Sequence, residues 1–570
     1  MIADDAVKTL KIDQAKQALG KEIAAVVYDC FSGFDPDAAG ILGGAIKAGG
    51  LMVLITPELP LWPEFDDPQF AKITAYGNPK PEFSYYIKRL IRIISESSDC
   101  ILIQQHKTLP NLSANYQTTP ASPPDFSDQN KAIESIKHVV YGQRRRPAIL
   151  LSDRGRGKSA ALGIAAGQLL QDKARRIGVT GNSKQSVANV FKHAALTHNI
   201  VADSLCFYPA DKLIESKPEI DLLLIDEAAS IPLSMLGRIL EIFPRIAFTS
   251  TVHGYEGTGR GFMLRFKELL DSHCRGAETC ILSTPIRWAQ DDPLDAFLFD
   301  VLLLNAEPAG ISLRHINKSK ADNSKVDTSK FEFSVIEKSD LVENESLTRD
   351  VFGLLTQAHY RTRPHDLRHL LDAANIRLFG ICQPGQLQRQ LQQRQIIGVA
   401  VVAIEGGFDH ETANKIWANQ SRPKDHLLPE LLCAQQGLID AVKLKTARIM
   451  RIVVRPEFQR HGVGKGLLTH IFNFYNHEVD LLGTTFGANL AVLQFWLDSE
   501  FMPVRIGHNQ SRNSATHACA MIKPISPRGN QLATLAGNKF SGNFRYQLRA
   551  VFPSIDPEFA LLKLLCDRIA

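Results

Sequence analysis

The most informative segment of the sequence is Arg451-Ile-Val-Val-Arg455-Pro-Glu-Phe-Gln459-Arg-His-Gly462-Val-Gly464-Lys-Gly-Leu-Leu468. Its β-branched start predicts a strand, and its apolar end predicts a helix. Between them, Gly462 and Gly464 allow the backbone to approach a ligand, and the start of the helix offers unpaired N–H groups and a positive dipole end. The segment therefore predicts a cradle for a pyrophosphate, and the simpler alternative is an ordinary turn between a strand and a helix.

The same segment resembles the coenzyme A loop of the GCN5-related N-acetyltransferases, in which Arg/Gln-x-x-Gly-x-Gly/Ala lies between a strand and a helix. Arg455-Pro456 fits that family too. Around the segment, the hydrophobic pattern predicts strands at 377–381, 396–403, 482–486 and 518–522 and a helix at 491–498. This order matches an acetyltransferase core. We therefore expect a GCN5-related N-acetyltransferase fold at 331–522, with the Gln- and Arg-rich residues 383–395 as a long hairpin loop.

The composition is that of a soluble globular protein. At 570 residues the chain should hold about three or four domains. No run approaches the roughly 18 uninterrupted apolar residues that a membrane span needs, and the start lacks the layout of a signal peptide, so a cytoplasmic location is expected. Nine cysteines without a C-x-x-C pair argue against a disulfide framework and a zinc site. The net charge of +5 is too slight to imply a polyanion partner by itself.

The amino-terminal part alternates strand and helix, with strands predicted at 23–28 and 51–55 around a helix at 35–47. A Pro/Ser/Asn-rich stretch at 108–124 is predicted to be a linker. We therefore expect a short Rossmann-like α/β domain at 1–110.

A second α/β domain is predicted at 126–310, because strands at 148–151, 177–179, 222–225 and 246–248 alternate with helical patterns, including a helix at 159–170. Helices on both faces should cover its parallel sheet. The polar run at 317–330 is predicted to be a second linker.

Residues 523–570 carry seven Lys/Arg against three Asp/Glu, with Phe540, Phe544, Tyr546 and Phe552 among the bases. Bases with interleaved aromatic residues suit single-stranded nucleic acid, which predicts a small RNA-binding tail. The alternative is a pair of amphipathic helices docked on the core, with the aromatic rings buried. The sequence favours neither.

A glycine loop follows the predicted strand at 148–151, namely Ser152-Asp-Arg-Gly155-Arg-Gly157-Lys158-Ser159. In a Walker A loop, backbone N–H groups hold the phosphates, the lysine meets the β and γ oxygens, and the hydroxyl binds Mg²⁺. Ser152 stands where the pattern has its first glycine, so we expect Gly155 to supply the flexibility. The loop predicts a RecA-like P-loop ATPase.

A Walker B strand follows as Leu222-Leu-Leu-Ile-Asp226-Glu227. Asp226 would serve the metal, and Glu227 would polarise a water for attack on the γ-phosphate; a solvated strand edge is the plainer alternative. After the next strand, residues 249–261 are predicted to form a sensor loop, in which Thr251 or His253 contacts the γ-phosphate or a nucleic-acid backbone and Arg260 faces phosphate. The alternative is a glycine-rich turn without a ligand.

The combination of both sites resembles the tRNA(Met) cytidine acetyltransferases over nearly the whole chain. The motifs that carry the resemblance are Gly155-Arg-Gly-Lys-Ser-Ala, Asp226-Glu-Ala-Ala-Ser-Ile-Pro232, Gly254-Tyr-Glu-Gly-Thr-Gly-Arg-Gly261, Pro285-Ile-Arg-Trp288 and Gln459-Arg-His-Gly-Val-Gly464. The resemblance implies acetylation of N4 of the wobble cytidine in elongator methionine tRNA, with acetyl-CoA as donor and hydrolysis of ATP or GTP with Mg²⁺. The implied partner is the anticodon loop of that tRNA; no DNA or membrane partner is expected, and the oligomeric state stays open.

The resemblance also implies site residues. Nucleotide contacts are expected at Gln129, Gly155, Arg156, Gly157, Lys158, Ser159, Ala160, Ala161, Leu162, Gly163, Ile164 and Arg287, with Lys158, Asp226 and Glu227 in hydrolysis and Ser159 and Asp226 at Mg²⁺. Acetyl-CoA contacts are expected at Ile452, Val453, Val454, Gln459, Arg460, His461, Gly462, Val463, Gly464, Lys465 and Asn489.

Two positions depart from the family. Asn489 stands where an acidic residue is expected, and Ser499-Glu500-Phe501 stands where Cys-Gly-Phe is expected. The amino-terminal unit is also shorter than in larger members.

Cytosine N4 is a poor nucleophile, so orientation against the thioester should matter more than a strong base, and no catalytic base is assigned from the sequence. Backbone N–H groups around Ile452–Val454 are expected to stabilise the thioester oxygen. Nucleotide hydrolysis would remodel the RNA so that a stacked wobble base leaves the loop. Two alternatives remain: an RNA helicase with a degenerate acetyltransferase module, and a protein or small-amine acetyltransferase gated by a nucleotide.

Overall fold

A computed structural model describes residues 7–108, 125–173, 175–198, 203–252, 260–308, 310, 331–358, 362–382, 395–510 and 516–552. These residues form two compact units that alternate along the chain. The first unit draws on Met1–Gln69, Tyr86–Asn305 and His359–Arg368, and the second draws on Phe70–Tyr85, Ala306–Ala358 and His369–Ala570.

The strands of the described residues, numbered in chain order, are β1 (Ile23–Asp29), β2 (Ile46–Ile55), β3 (Ala148–Ser152), β4 (Ile177–Thr180), β5 (Leu205–Phe207), β6 (Leu222–Ile225), β7 (Ile246–Thr251), β8 (Glu278–Leu282), β9 (Glu332–Ile336), β10 (Ile376–Cys382), β11 (Ile396–Gly406), β12 (Lys445–Val454), β13 (Leu481–Gly487), β14 (Met502–Gln510) and β15 (His517–Pro524).

The helices, numbered in the same way, are α1 (Pro36–Gly43), α2 (Phe70–Ile73), α3 (Tyr85–Glu96), α4 (Ser127–Tyr141), α5 (Lys158–Asp172), α6 (Ala188–Thr197), α7 (Ala210–Ser216), α8 (Leu233–Ile242), α9 (Arg260–His273), α10 (Pro293–Leu302), α11 (Lys338–Glu343), α12 (Glu345–Ala358), α13 (Pro364–Asp372), α14 (His410–Trp417), α15 (Leu427–Glu430), α16 (Val463–Phe474), α17 (Leu490–Asp498) and α18 (Pro527–Ala550).

The first unit is built on a six-stranded parallel sheet with the order β5-β4-β6-β7-β3-β8. Because successive residues of a strand face opposite sides, β6 divides its side chains between two apolar clusters. Leu222 and Leu224 pack with α4, α5 and α6, whereas Leu223 and Ile225 pack with α7, α8 and α9. The predicted parallel sheet with helices on both faces is confirmed.

The amino-terminal part of this unit pairs β1 with β2 in parallel. Asp35 caps α1 by accepting hydrogen bonds from the N–H groups of Asp37 and Ala38. The predicted helix at 35–47 is too long, because the chain leaves the helix after Gly43 and Ile46 already belongs to β2. Two adjacent glycines, Gly43 and Gly44, explain this early end, since glycine is a poor helix former.

The second unit contains a seven-stranded sheet with the order β14-β15-β13-β12-β11-β10-β9. Its pairs are antiparallel except for β12 and β13, which run parallel. The pairing of β12 with β13 covers only Thr446–Ile449, whereas its pairing with β11 continues to Val454. Beyond Ile449 the two parallel strands therefore splay apart, as the acetyltransferase prediction requires, and the predicted strand order is confirmed.

Two alternatives were predicted for the carboxy-terminal region, namely an RNA-binding surface with exposed aromatic rings and amphipathic helices docked on the core. Residues 527–550 form α18, which contacts β14 and β15, and Phe540, Phe544 and Phe552 are at most 2% exposed. These three rings belong to the apolar core of the unit, so they offer no stacking surface to RNA. In the described part, one amphipathic helix is docked on the core, whereas a second helix of the predicted pair is not among the described residues. The prediction of an aromatic RNA-binding surface is wrong for these three rings, and Tyr546 is 79% exposed.

The predicted linker at 317–330 lies wholly outside the described residues, as does the linker at 108–124 apart from residue 108 and the insert at 383–395 apart from residue 395. No helix in the described part of the chain combines the length and the apolar character that crossing a membrane requires. The eight cysteines of the described residues form no disulfide with one another.

Candidate functional site

The glycine loop between β3 and α5 has two residues in the left-handed region, Gly155 with φ 78° and Gly157 with φ 85°. Glycine adopts this region without steric cost. A Cβ atom at Gly155 would lie 2.8 Å from the ring of Trp288. Gly155 thus provides the flexibility of the loop and allows the Trp288 ring to approach, as expected from the serine at position 152.

Lys158 is the first residue of α5, and its side chain is folded back on the loop. Its Nζ donates to the carbonyl of Ser152 at 3.1 Å, to the hydroxyl of Ser152 at 2.9 Å and to the carbonyl of Asp153 at 3.0 Å. Burial lowers the pKa of Lys158, an effect that the nearby carboxylates of Glu227 and Asp226 oppose. The serine that replaces the usual glycine therefore contributes two of the three acceptors that hold the ammonium group.

The two predicted metal-binding residues contact each other. The hydroxyl of Ser159 donates to Oδ2 of Asp226 at 2.8 Å, and the hydroxyl of Thr249 donates to Oδ1 at 2.7 Å. Burial raises the pKa of Asp226, and these two hydrogen bonds oppose the rise. Each carboxylate oxygen of the Walker B aspartate is thereby fixed at the end of β6 beside the start of α5.

Glu227 has its backbone in the left-handed region, with φ 57°. Its N–H donates to the Thr249 hydroxyl at 3.0 Å. Its carboxylate accepts hydrogen bonds from the Thr251 N–H at 3.0 Å and the Thr251 hydroxyl at 2.6 Å. Thr251, predicted as a phosphate contact, is thus bound to Glu227 and orients it. His253 and the side chain of Arg260 lie outside what the structure describes.

Gln129 borders the loop from α4. Its Nε2 donates to the carbonyl of Arg156 at 3.0 Å and, more weakly, to that of Thr284 at 3.4 Å, while its buried Oε1 has no hydrogen-bond partner among the described residues. An unpaired buried acceptor is costly, so the position suits a ligand donor such as an amino group. The role of Gln129 in reading the base stays a prediction.

Sequence reasoning missed Asp128, the neighbour of this glutamine. Its Oδ2 accepts hydrogen bonds from the N–H and hydroxyl groups of Ser283 and Thr284, which hold the pKa of Asp128 below its usual range. The available signal was its position in the first turn of α4, where an acidic residue is favourable. Asp128 fixes the segment after β8 that carries Arg287 and Trp288.

The two predicted arginines are engaged differently. Arg156 lies 3.7 Å from the carboxylate of Asp295, and its buried Nη1 has no hydrogen-bond partner among the described residues. Arg287 donates its backbone N–H to the Gly155 carbonyl at 3.2 Å, but its Nη1 donates to the carbonyl of Gly44 at 3.1 Å. Arg156 thus retains hydrogen-bonding capacity at the loop, whereas the Arg287 guanidinium is directed to the amino-terminal part of the unit.

The remaining predicted contacts belong to the first turns of α5. Ala161 and Leu162 are at most 1% exposed and pack in the core, and a Cβ atom at Gly163 would lie 2.4 Å from the carbonyl of Val190. Ala160 and Ile164 are partly buried. The packed side chains of Ala161 and Leu162 set the position of the helix.

The second site lies between β12 and α16. Gln459 donates its Nε2 to the carbonyl of Val454 at 2.8 Å, Arg460 has φ 62°, and Gly462 has φ 82°. α16 begins at Val463 without a side-chain cap. The loop therefore turns sharply and leaves the start of the helix open to an anion.

Packing explains the other positions of this loop. The side chain of Val463 is buried in the core, whereas Gln459, Arg460, His461 and Lys465 are exposed. A Cβ atom at Gly464 would lie 3.1 Å from the Phe495 ring. Ile452, Val453 and Val454 are partly buried on the splayed end of β12.

A buried ion pair, which sequence reasoning missed, anchors the end of β12. Arg455 Nη2 lies 2.5 Å from Asp350 Oδ1, and its Nε donates to the carbonyl of Ile396 at 2.6 Å. Both side chains are almost fully buried. Arg455 thus fixes the start of the loop to α12 and β11, and nothing local in the sequence marks Asp350 as its partner.

Asn489, the departure from the expected acidic residue, is the N-cap of α17. Its exposed side chain accepts a hydrogen bond from the Val492 N–H at 2.8 Å. Asparagine and aspartate are equally good N-caps. The substitution therefore preserves the helix and removes a negative charge from this end of the sheet.

Comparison with known proteins matches three family models to successive parts of the chain: "tRNA(Met) cytidine acetyltransferase TmcA, N-terminal" at residues 2–105, "RNA cytidine acetyltransferase NAT10/TcmA, helicase domain" at 149–305, and "GNAT acetyltransferase 2" at 350–480 and 467–526. The chain is 42% identical over 572 residues to the tRNA(Met) cytidine acetyltransferase TmcA of Nitrosococcus halophilus, covering 96% of this chain and 74% of that protein. Proteins of the same description from Vibrio cholerae and Haloferax volcanii are 31% and 29% identical, covering 98% and 96% of this chain and 73% and 75% of their own lengths.

Proposed function

The chain belongs to the tRNA(Met) cytidine acetyltransferase family, and from that premise we propose that it transfers an acetyl group from acetyl-CoA to N4 of the wobble cytidine in the anticodon loop of elongator methionine tRNA. It is an RNA cytidine acetyltransferase with a helicase-like ATPase domain and a GCN5-related acetyltransferase domain. The observation that carries the proposal is the presence of both phosphate loops in one chain.

The second unit fits acetyl-CoA. The uncapped start of α16 and the left-handed Gly462 offer backbone N–H groups to a pyrophosphate. When bound, the coenzyme supplies an activated thioester. Beyond Ile449 the side of β12 that faces β13 has no strand partner among the described residues, so those N–H groups of Ile452–Val454 that point to this side are available to the thioester oxygen. These residues orient the donor and stabilise the charge that develops on that oxygen.

The first unit fits ATP or GTP with Mg²⁺. Mg²⁺ in phosphate sites is held by one or two protein oxygens together with phosphate and water, which agrees with the Ser159 and Asp226 pair. Lys158 would exchange the acceptors of its own loop for phosphate oxygens. Glu227, held by Thr251, would orient the attacking water.

Transfer from a thioester needs no further energy source, so we assign nucleotide hydrolysis to the RNA. A stacked wobble base must leave the anticodon loop to react, and unstacking costs a few kcal/mol. Hydrolysis would drive that rearrangement. We place the reaction in the cytoplasm, where methionine tRNA is used.

The decisive experiment determines which molecule receives the radiolabelled acetyl group. The full chain is incubated with radiolabelled acetyl-CoA, ATP, Mg²⁺ and elongator methionine tRNA, and the RNA is digested to nucleosides. We expect labelled N4-acetylcytidine. Label on protein alone would support the nucleotide-gated protein acetyltransferase, and absence of acetyl-CoA binding in isothermal titration would support the helicase with a degenerate module.

Lys158→Ala tests the role of the nucleotide. The variant should lose ATP hydrolysis and acetylate folded tRNA more slowly, while keeping its affinity for acetyl-CoA. The matched control is Lys212→Ala, because Lys212 is an exposed lysine of α7 in the same unit. Equal acetylation by Lys158→Ala with and without ATP would contradict remodelling.

A further inference from the structure

A cavity of about 470 Å³ lies in the second unit beside α18, on the side of β14. The helix contributes Lys539, Asn543 and Gln547, which are spaced four residues apart and therefore share one helix face. β14 contributes Arg505 and His508. None of the residues implicated above in acetyl-CoA or nucleotide binding lines this space.

The cavity is cationic without a counter-charge. Its lining contains no aspartate or glutamate. Within the described residues, the side chains of Arg505 and Lys539 form no hydrogen bond or ion pair. Arg505 is only partly exposed, and burial lowers the pKa of its guanidinium. A partly buried arginine without a carboxylate partner is unfavourable unless an anion is supplied from outside.

The helix reinforces this charge. Across its 24 residues α18 has four Lys/Arg and no Asp/Glu. Its apolar face is buried through Phe540 and Phe544, so the basic residues are confined to the remaining surface. A one-sided basic helix of this kind produces a local positive potential that the modest net charge of the chain conceals.

The rest of the lining is amide-rich. The end of the π-helix Leu431–Gln435 contributes Gln435, the next residue is Gln436, and both line the cavity together with Asn543 and Gln547. Amide groups both donate and accept hydrogen bonds, as ribose hydroxyls require. The volume lies in the range of about 300–1,000 Å³ that is typical of small-ligand sites, which is enough for one nucleotide unit.

We propose that this cavity binds a phosphodiester group of the tRNA backbone, with Arg505 and Lys539 neutralising the phosphate and the surrounding amides contacting the adjoining ribose. The inference rests on the proposed function, because it takes tRNA as the substrate. It replaces aromatic stacking by backbone recognition as the way in which the α18 region binds RNA. Such contacts fix the position of the RNA and read no sequence.

The test is binding of elongator methionine tRNA by fluorescence anisotropy at several salt concentrations. The variants are Arg505→Gln and Lys539→Gln, and the matched control is Arg545→Gln, an exposed arginine of α18 outside the cavity. We expect each cavity variant to weaken binding about tenfold. Each should also reduce the slope of log K against log salt by about one, whereas the control changes neither by a comparable amount.

Three results would overturn the inference. One is an effect of Arg545→Gln equal to that of Lys539→Gln, since equality would mean that the whole basic surface of the helix attracts RNA without a defined site. Retained affinity and salt slope in both cavity variants would also contradict it, as would a tenfold loss of acetyl-CoA affinity, which would assign the cavity to the coenzyme. Because Lys539 is exposed, its variant keeps the test valid if Arg505→Gln fails to fold.

The two proposals fail separately. If the wild-type protein neither binds nor acetylates the tRNA, the proposed function is wrong. If the wild-type protein acetylates the tRNA and both cavity variants do so with unchanged KM for tRNA, only the phosphodiester site is wrong.

Discussion

The hydroxyl of Ser159 donates a hydrogen bond of 2.8 Å to Oδ2 of Asp226. The two residues are 67 positions apart and come from the start of a helix and the end of a strand. Their contact places side by side a hydroxyl and a carboxylate, the two groups that would bind a phosphate-bound Mg²⁺. The two side chains that we propose as Mg²⁺ ligands are therefore already in contact in the protein.

Thr249 supports this geometry and can be tested by an isosteric change. Thr249→Val removes the hydrogen bonds to Asp226 Oδ1 and from the Glu227 N–H. Because burial already raises the pKa of Asp226, the loss should raise it further and reduce hydrolysis by about tenfold or more. Steady-state ATP hydrolysis at neutral pH measures the effect.

Thr180→Val is the matched control for that experiment. Thr180 is fully buried at the end of the neighbouring β4, and its hydroxyl has no hydrogen-bond partner among the described residues. Its replacement should leave hydrolysis unchanged and should not lower stability. Equal loss of activity in both variants would mean that hydrolysis responds to any change in this core.

Gly462→Ala tests the loop before α16. The backbone of Gly462 has φ 82°, where a Cβ atom costs about 1–2 kcal/mol. We expect a comparable loss of unfolding free energy and weaker binding of acetyl-CoA in isothermal titration. Gly542→Ala is the control, because Gly542 lies within α18 with open space around it, and alanine should stabilise that helix by about 1 kcal/mol.

His426 predicts a pH dependence of stability. Its Nδ1 accepts from the Gly406 N–H at 2.8 Å, so Nε2 carries the proton and donates to the Tyr76 carbonyl at 2.8 Å. Burial lowers the pKa of His426 below its ordinary value of 6.5. The unfolded chain therefore binds the additional proton first, and the free energy of unfolding should fall as the pH is lowered through and below 6.5.

The measurement is urea unfolding at pH 7.5 and pH 5.5. His426→Asn removes the titrating group and the hydrogen bond to Tyr76, so it should cost about 1 kcal/mol at the higher pH. It should also show a smaller difference between the two pH values than the wild-type protein. An unchanged difference would exclude His426 as a source of the pH dependence.

Two nearby aromatic residues of α18 differ in burial, so variants at these positions distinguish the packed face of the helix from its exposed face. Phe544 is fully buried and Tyr546 is 79% exposed. Phe544→Ala should destabilise the second unit by about 3–5 kcal/mol, and Tyr546→Ala should change stability by no more than about 0.5 kcal/mol. Chemical unfolding measures the stability of both variants. If the helix were solvated on all sides, the two variants would be equally stable.

Local signals were sufficient for much of the fold. The apolar run of β6 by itself predicts a buried parallel strand. The Gly-Lys-Ser segment at 157–159 by itself predicts the start of a helix. The loop around Gly462 was predicted for the same reason.

The missed features depend on residues that are distant in sequence. Asp350 pairs with Arg455 across 105 positions, and Thr249 meets Asp226 across 23. No periodicity encodes such pairs, because they follow from the packing of separate elements. The rings of Phe540 and Phe544 were ambiguous for a related reason: a basic helix with aromatic residues has the same composition whether its rings face a core or a ligand.

The backbone of Glu227 gives the ATPase site a stability cost. A glutamate at φ 57° holds roughly 1–2 kcal/mol of conformational strain, which its hydrogen bonds with Thr249 and Thr251 maintain. Glu227→Gly should therefore be more stable than Glu227→Ala by about 1 kcal/mol, although neither variant should hydrolyse ATP. Selection for stability alone would replace this residue. Its presence is therefore a trade-off, in which the protein is less stable but keeps the carboxylate in a fixed orientation.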